Sequence, residues 1–322
     1  MSAKPYATLH AGELSDRTAP LSWLIEGLFL DAGAGILGGA PKSCKSFFAL
    51  DLCVAIASGT ACAGVFRVPS PGPVVLLCAE DPHAVISSRL SALARARERA
   101  LEDLPIEVIV EPAVRLPEGL DRLSATLATF KPRLLLLDPL IRLHRADENS
   151  ASEMSVILDG LRSLARSSTT SILLVHHARK AAANGGSGLR GSSDLHAFGD
   201  SNLYLRRLTQ DSVLELRIEH RAAAAPAPVR LRLHVDEEAE PKARFERIDS
   251  AGQDDPAARR ILELLTKSAA PLSSAALRDK LGVRNQTVAE ALKLLAADGR
   301  IQRAGRDGWT HAQNSSLPVP AL

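Results

Sequence analysis

Aromatic side chains are scarce in this chain, with two Trp, two Tyr and seven Phe among 322 residues, and that scarcity carries no functional weight by itself. Cysteine is scarcer still. Cys44, Cys53, Cys62 and Cys78 have no paired metal-ligand spacing, and three of them lie in apolar or small-residue surroundings, so they read as reduced thiols of a cytoplasmic protein. Long apolar runs are missing too: residues 1–22 have no extended apolar core and no segment reaches the length of a membrane span, so a soluble, unexported protein is expected. A strong excess of one charge is also lacking. The formal net charge is +2, so the whole molecule makes no statement about polyanions, and any nucleic-acid surface must be local.

What is present is a regular alternation of apolar runs and helix-length segments. Residues 36–37, 74–78, 106–110, 134–137 and 171–175 read as strands, and residues 46–57, 84–100, 117–129 and 152–167 as helices. Continuous apolar strands separated by helices are what a parallel sheet covered on both faces requires, so the fold class is α/β, doubly wound. Residues 201–205, 213–219, 229–235 and 243–248 then alternate as shorter strands and are expected to extend the sheet as hairpins. The length accommodates one large domain and one small one. The expected organisation is an N-terminal arm at 1–21, a main domain at 22–248, a linker at 249–256, a small domain at 257–311 and a disordered tail at 312–322.

The most informative stretch is Gly38-Gly39-Ala40-Pro41-Lys42-Ser43-Cys44-Lys45-Ser46, set between the first apolar strand and a helical pattern. A phosphate-binding loop needs backbone N–H groups turned around a β-phosphate, an ammonium on the β and γ oxygens and a hydroxyl on Mg²⁺. Gly39, Lys45 and Ser46 occupy those offsets, so residues 39–46 are the candidate cradle for ATP. Cys44 departs from the pattern, which has a glycine there. Its Cβ is expected close to the incoming phosphates, where it would lower nucleotide affinity or turnover.

Further chemistry sits at strand ends. The strand at 74–78 runs into Ala79-Glu80-Asp81, at the edge where open α/β sheets bind ligands. Glu80 either polarises an attacking water or, like Asp81, caps the helix that begins near Pro82. Residues 134–137 are four leucines followed by Asp138, the pattern of a Walker B segment whose acid holds Mg²⁺. The strand at 171–175 runs into His176-His177. Successive side chains on a strand point to opposite faces, which argues against a joint metal site. His177 either contacts a γ-phosphate or is a strand-end histidine satisfied by backbone. Lys180 and Arg190 flank a glycine-rich loop and are candidates to approach phosphate from the same subunit or a neighbour.

The C-terminal region has its own pattern. Residues 257–267, 273–281 and 285–298 show apolar residues at helical spacing, followed by Arg300-Ile301-Gln302-Arg303, a turn at 305–308 and Trp309-Thr310. Order and length match a winged helix-turn-helix. Residues 257–311 carry ten Lys or Arg against five Asp or Glu, so this module is basic although the protein is not. Arg284, Asn285, Gln286 and Thr287 open the expected recognition helix, with Arg303 and Arg306 on the wing as phosphate contacts. The other reading is a protein-docking module with a solvated charged face.

The ordered series Trp23-Leu24-Ile25-Glu26-Gly27, residues 39–46, Leu77-Cys78-Ala79-Glu80-Asp81, Leu137-Asp138-Pro139-Leu140, Val175-His176-His177-Ala178-Arg179-Lys180 and Arg190-Gly191-Ser192-Ser193 resembles the RecA-like P-loop ATPases of the plasmid RepA replicative-helicase type. These are AAA family ATPases, and the likeness covers roughly residues 20–210. It implies a RecA-like core, ATP with Mg²⁺, assembly of copies into a ring or filament, and action on single- or double-stranded DNA. By that likeness Lys45 and Ser46 are the Walker A contacts, Glu80 the catalytic glutamate, Asp138 the Walker B acid, His177 the γ-phosphate sensor and Arg190 the intersubunit finger. A DNA-acting motor is therefore expected; the alternatives are a DNA-binding regulator or replication-initiation factor using ATP as an assembly switch, and a scaffold in which Lys45 and Asp138 are accidental.

Overall fold

A computed structural model describes residues 6–13, 21–111, 114–177, 193–208, 213–236, 238–248, 256–268, 270–297, 300–305 and 308–312. Lys180, Arg190 and Arg306 lie outside these residues, as do most of the expected arm, the linker up to residue 255 and the tail from residue 313. The chain divides into two compact units, Met1–Arg247 and Ile248–Leu322.

In the first unit a short hairpin, β1 (Trp23–Ile25) and β2 (Phe29–Leu30), precedes β3 (Ala34–Gly39) and α1 (Lys45–Ser58). Next come β4 (Val74–Cys78), α2 (His83–Arg95), β5 (Ile106–Val108), α3 (Leu120–Phe130), β6 (Leu134–Asp138), α4 (Ala151–Ser168), β7 (Ser171–His177) and α5 (Ser193–Phe198). The unit ends with β8 (Ser201–Arg207), β9 (Val213–His220), β10 (Val229–Val235) and β11 (Ala243–Arg247). Nine of these strands form one sheet, ordered β11-β10-β9-β8-β3-β7-β6-β4-β5. The six strands from β8 to β5 run parallel, and β9, β10 and β11 add antiparallel neighbours at one edge. The four strands from β8 to β11 follow one another as antiparallel hairpins, and the other edge of β8 pairs parallel with the phosphate-loop strand β3.

Strand alternation divides the core between the two faces. Val74, Leu76, Leu134, Leu136, Leu173 and Val175 pack with α1 and α2, whereas Val75, Leu77, Leu135, Leu137, Ile172 and Leu174 pack with α3, α4 and α5. Both faces are therefore dry, which is why these strands are continuous apolar runs. The α1 helix is itself buried along most of its length, with a single buried acid, Asp51, held by Arg97 at 2.7 Å and by the Ala63 amide at 2.7 Å. The α2 helix ends at Arg95, short of the expected residue 100, where Glu98 takes left-handed backbone at φ 56° and the Arg99 amide turns back to the Ala94 carbonyl at 3.1 Å.

In the second unit α6 (Pro256–Lys267), β12 (Leu272–Ser273), α7 (Ser274–Leu281), α8 (Asn285–Ala297), β13 (Ile301–Ala304) and β14 (Gly308–His311) surround a separate core. Ile261, Leu265, Leu277, Val288, Leu292, Leu295 and Ile301 fill it. The strands are antiparallel in the order β12-β14-β13. The Ser273 hydroxyl accepts from the Ala276 amide to start α7, and Gly282, at φ 66°, ends it.

Candidate nucleotide site

The chain leaves β3 at Gly39 and turns through residues 40–44 into α1. Gly39 is required by close approach: a Cβ there would lie 2.3 Å from the Leu205 carbonyl oxygen on β8 and 2.8 Å from Ser43 Oγ. Ala40 supplies its carbonyl to the Lys45 ammonium at 2.9 Å. Lys42 and Cys44 both adopt left-handed backbone, with φ of 62° and 63°. Cys44 is the N-cap of α1 and makes no side-chain cap hydrogen bond, so the first amides of the helix have no side-chain partner from the cap.

A cavity of about 440 Å³ opens against this loop, lined by Lys42, Ser43, Cys44, Lys45 and Ser46 and by Glu80, Asp138 and His177. Gly39, Ala40 and Pro41 shape the loop behind it without lining it, and Pro41 is exposed. The parallel register explains the convergence, since Gly39 pairs with His177, Cys78 with Asp138 and Leu137 with Leu174, so four neighbouring strand tips end close together at the same edge of the sheet.

Asp138 is 5 % exposed and accepts a hydrogen bond from the Ser46 hydroxyl. Burial raises its carboxyl pKa to about 6, with Ser46 and Lys45 working the other way and Asp81 and Glu80 adding to the rise. Burial likewise pushes the Lys45 ammonium below its usual range, against the pull of Asp138, Glu80 and Cys44. His176 is buried, with Nδ1 3.5 Å from Glu148, and His177 faces the cavity. The two histidines take opposite sides, as strand geometry demands.

Neither carboxylate at residues 80 and 81 caps α2. Asp81 does not cap α2: Pro82 is the N-cap without a side-chain hydrogen bond, and Asp81 instead pairs with Arg89. Glu80 does not cap it either; its Oε1 accepts from Arg142 at 3.3 Å. Arg190 lies outside the described residues.

Sequence reasoning missed three arginines. Arg89 lines the cavity and sits 5.5 Å from the Phe47 ring centre. Arg207, at the end of β8, donates to Cys44 Sγ at 3.2 Å, and Arg142 holds Glu80. Only the parallel pairing of β8 with β3 brings residue 207 near residue 44, so no local pattern announces it. Cys78 also lines the cavity, its thiol pushed up to about 12 by burial and by the Asp138 and Asp81 carboxylates.

The residues fit a triphosphate with a divalent cation. Ser43 Oγ is buried and has no hydrogen-bond partner among the described residues, and an unpaired hydroxyl in a phosphate loop is suited to a ligand oxygen. No group of three His, Cys, Asp or Glu able to hold a metal occurs among the described residues. A cation at Ser46 and Asp138 would complete its shell with water and phosphate oxygens, which is how Mg²⁺ is commonly held.

In the second unit Arg284, Asn285 and Gln286 are exposed and Thr287 is half-buried at the start of α8. Asn285 accepts from Arg278 at 3.4 Å, and Gln286 donates to Glu290 at 3.0 Å. Arg303 is exposed on β13 and lies 4.5 Å from the Trp309 ring centre. Arg306 lies outside the described residues. No described helix is long and apolar enough to cross a membrane.

The AAA_25 family model, described as an AAA domain, matches residues 2–183. Among solved structures, one described as an ATPase domain is similar over 68% of this chain and 91% of that one, at 16% identity and a TM-score of 0.52. A DnaB-like replicative helicase, from a structure of it and its interactions with primase, is similar over 73% of this chain and 66% of that one, at 16% identity and a TM-score of 0.54. At such identity these likenesses concern the fold, and the chain spans about two thirds of that helicase. With the family model covering more than half of its length and a mostly parallel sheet matching theirs, the chain belongs to the AAA_25 family of AAA domains and has the RecA-like P-loop NTPase fold.

Proposed function

We propose that this protein is a Mg²⁺-dependent ATPase that acts on single- or double-stranded DNA in replication or recombination, as a helicase-like motor or remodeller. It works in the cytoplasm as an assembly of copies in a ring or filament. One observation carries this reading: Lys45, Ser46, Glu80, Asp138 and His177, from four separate chain segments, line a single cavity against a phosphate loop. Residues 39–46 cradle the triphosphate, Lys45 contacts its β and γ oxygens, and Ser46 with Asp138 holds the cation. When bound, Mg²⁺ neutralises charge on the phosphate oxygens. Glu80 takes the proton of the attacking water. His177 senses the γ-phosphate at the start of the segment that contains Arg190, the candidate intersubunit finger. The fold likeness to a DnaB-like replicative helicase supports the DNA substrate, and the ordered series of motifs supports the plasmid RepA type.

The second unit supports the same substrate. Its order of three helices and a three-stranded antiparallel sheet fits a winged helix. Arg284, Asn285, Gln286 and Thr287 then enter a groove, with Arg303 and Arg306 on the flanking phosphates.

The test is the rate of ATP hydrolysis with and without single- and double-stranded DNA. Wild type is expected to be stimulated by DNA, Lys45→Ala to lose nucleotide binding, and Glu80→Gln to bind ATP while hydrolysing it at least about a hundredfold more slowly, a size in the usual range for losing a general base. Hydrolysis by Glu80→Gln at the wild-type rate would refute the assignment of that residue.

A second reading, a regulator or initiation factor that uses ATP as an assembly switch, is favoured by Cys44. A Cβ in left-handed backbone at the last loop position, tied to Arg207, crowds the phosphates and slows turnover. Tight ATP binding with near-zero hydrolysis in wild type, relieved in Cys44→Gly, selects that reading.

A further inference from the structure

Glu80 has one hydrogen-bonded partner among the described residues, the Arg142 guanidinium at 3.3 Å. Both side chains are about half exposed, and an exposed ion pair of that kind contributes little to stability. What it supplies is geometry. Arg142 closes a single helical turn, Leu140–Arg142, that follows directly on the Asp138 strand. The turn is anchored by buried Leu140 and Leu143 and by hydrogen bonds from the Arg142 and Leu143 amides to the Pro139 and Leu140 carbonyls. From outside, Arg115 donates to the Arg142 carbonyl at 2.6 Å and the Leu116 amide to the Leu143 carbonyl at 2.7 Å. The Glu80 side of the pair is tied to the same place, because the Ala79 amide donates to the Asp138 carbonyl at 2.7 Å.

The guanidinium is thus mounted on a fixed backbone four residues beyond the acid assigned to the cation. It engages Oε1 of Glu80, and a carboxylate held by one oxygen keeps the other to accept a proton. A base whose orientation is set by a third group is the recurring arrangement for activating a nucleophile. We propose that Arg142 is a positioning residue for ATP hydrolysis, aiming the Glu80 carboxylate at the water that attacks the γ-phosphate. The inference rests on the assignment of Glu80 given above.

The decisive measurement is steady-state hydrolysis by the full-length protein for wild type, Arg142→Ala, Arg142→Lys, Glu80→Gln and the Glu80→Gln, Arg142→Ala double variant, with ATP affinity and melting temperature measured alongside. Arg142→Ala is expected to lower kcat about tenfold, within the range that small misplacements cost, with KM within about twofold of wild type and the melting temperature unchanged. Arg142→Lys keeps a cation without the planar fork and should fall between. In the Glu80→Gln background, removing Arg142 should change the residual rate less than about twofold, because residues that act as a unit are not additive. A drop of equal size in that background would mean that Arg142 acts on the phosphates themselves, and it would overturn the inference, as would an unchanged kcat in Arg142→Ala. Glu80→Gln turning over at the wild-type rate would instead remove the assignment on which the inference stands.

Discussion

At the scale of single residues, Asp138 illustrates a buried acid whose charge works against the stability of the fold. Its carboxyl is nearly closed off from water, and its pKa is raised from 3.8 to about 6. The native state therefore binds a proton more tightly than the unfolded chain does, and folding stability falls as the pH climbs from about 4 to about 6, staying lower above that range. Asp138→Asn removes the buried charge while keeping an oxygen to accept from Ser46. In the absence of nucleotide and divalent cation it is expected to be more stable than wild type at about pH 7.5, by an amount on the order of 2 kcal/mol. The advantage should shrink toward zero at about pH 4. Thermal unfolding at the two pH values measures this, and a variant that melts below wild type at the higher pH would contradict it. The same substitution should abolish the Mg²⁺-dependent part of ATP binding, read by titration with and without the cation. Asp138 was legible in the sequence because four leucines ending in an acid form a local pattern. Arg142, Arg89 and Arg207 were not, since their partners lie 62, 8 and 163 residues away and nothing near them in the chain differs from an ordinary surface arginine.

At the scale of elements, the strands that carry the site were readable because both of their faces are buried. Their apolar residues run without interruption at 74–78 and 134–137, so length and flanking turns sufficed to place them. The hairpin of β1 and β2 escapes such a reading, because strands of three and two residues are too short to show a period. The hairpin of β8 and β9 is as the sequence suggests, but the parallel pairing of the other edge of β8 with β3 is a choice made by the sheet as a whole. That pairing imposes a constraint on the loop: the Leu205 carbonyl of β8 stands where a Gly39 side chain would go. Gly39→Ala must push β3 away from β8 and displace the Ser43 hydroxyl. Overpacking of this sort typically costs about 1–3 kcal/mol. The expected result is a lower melting temperature together with weaker ATP binding, whereas a change that affects neither would show that the two strands yield without consequence.

At the scale of the whole molecule, a near-neutral chain concentrates its positive charge in the second unit, where ten basic residues face five acidic ones between positions 257 and 311. Two cores, one on each side of the chain division near residue 248, allow the units to carry separate tasks. If the second unit holds DNA through phosphates, binding must release counterions, and the logarithm of affinity must fall linearly with the logarithm of salt concentration. With Arg303 on β13 as a phosphate contact, as proposed above, Arg303→Ala should weaken binding to all sequences alike and reduce the salt slope by about one. Gln286 opens the helix assigned to the groove, so Gln286→Ala should leave the slope nearly unchanged and relax any sequence preference. Neither residue belongs to the lining of the candidate nucleotide cavity, so hydrolysis without DNA should stay at the wild-type rate. Fluorescence titrations over a salt series, with hydrolysis measured on the same preparations, separate these outcomes. A salt slope near zero for wild type, with no change on losing Arg303, would turn the second unit from a DNA-binding element into a protein-docking one while leaving the reading of the first unit intact.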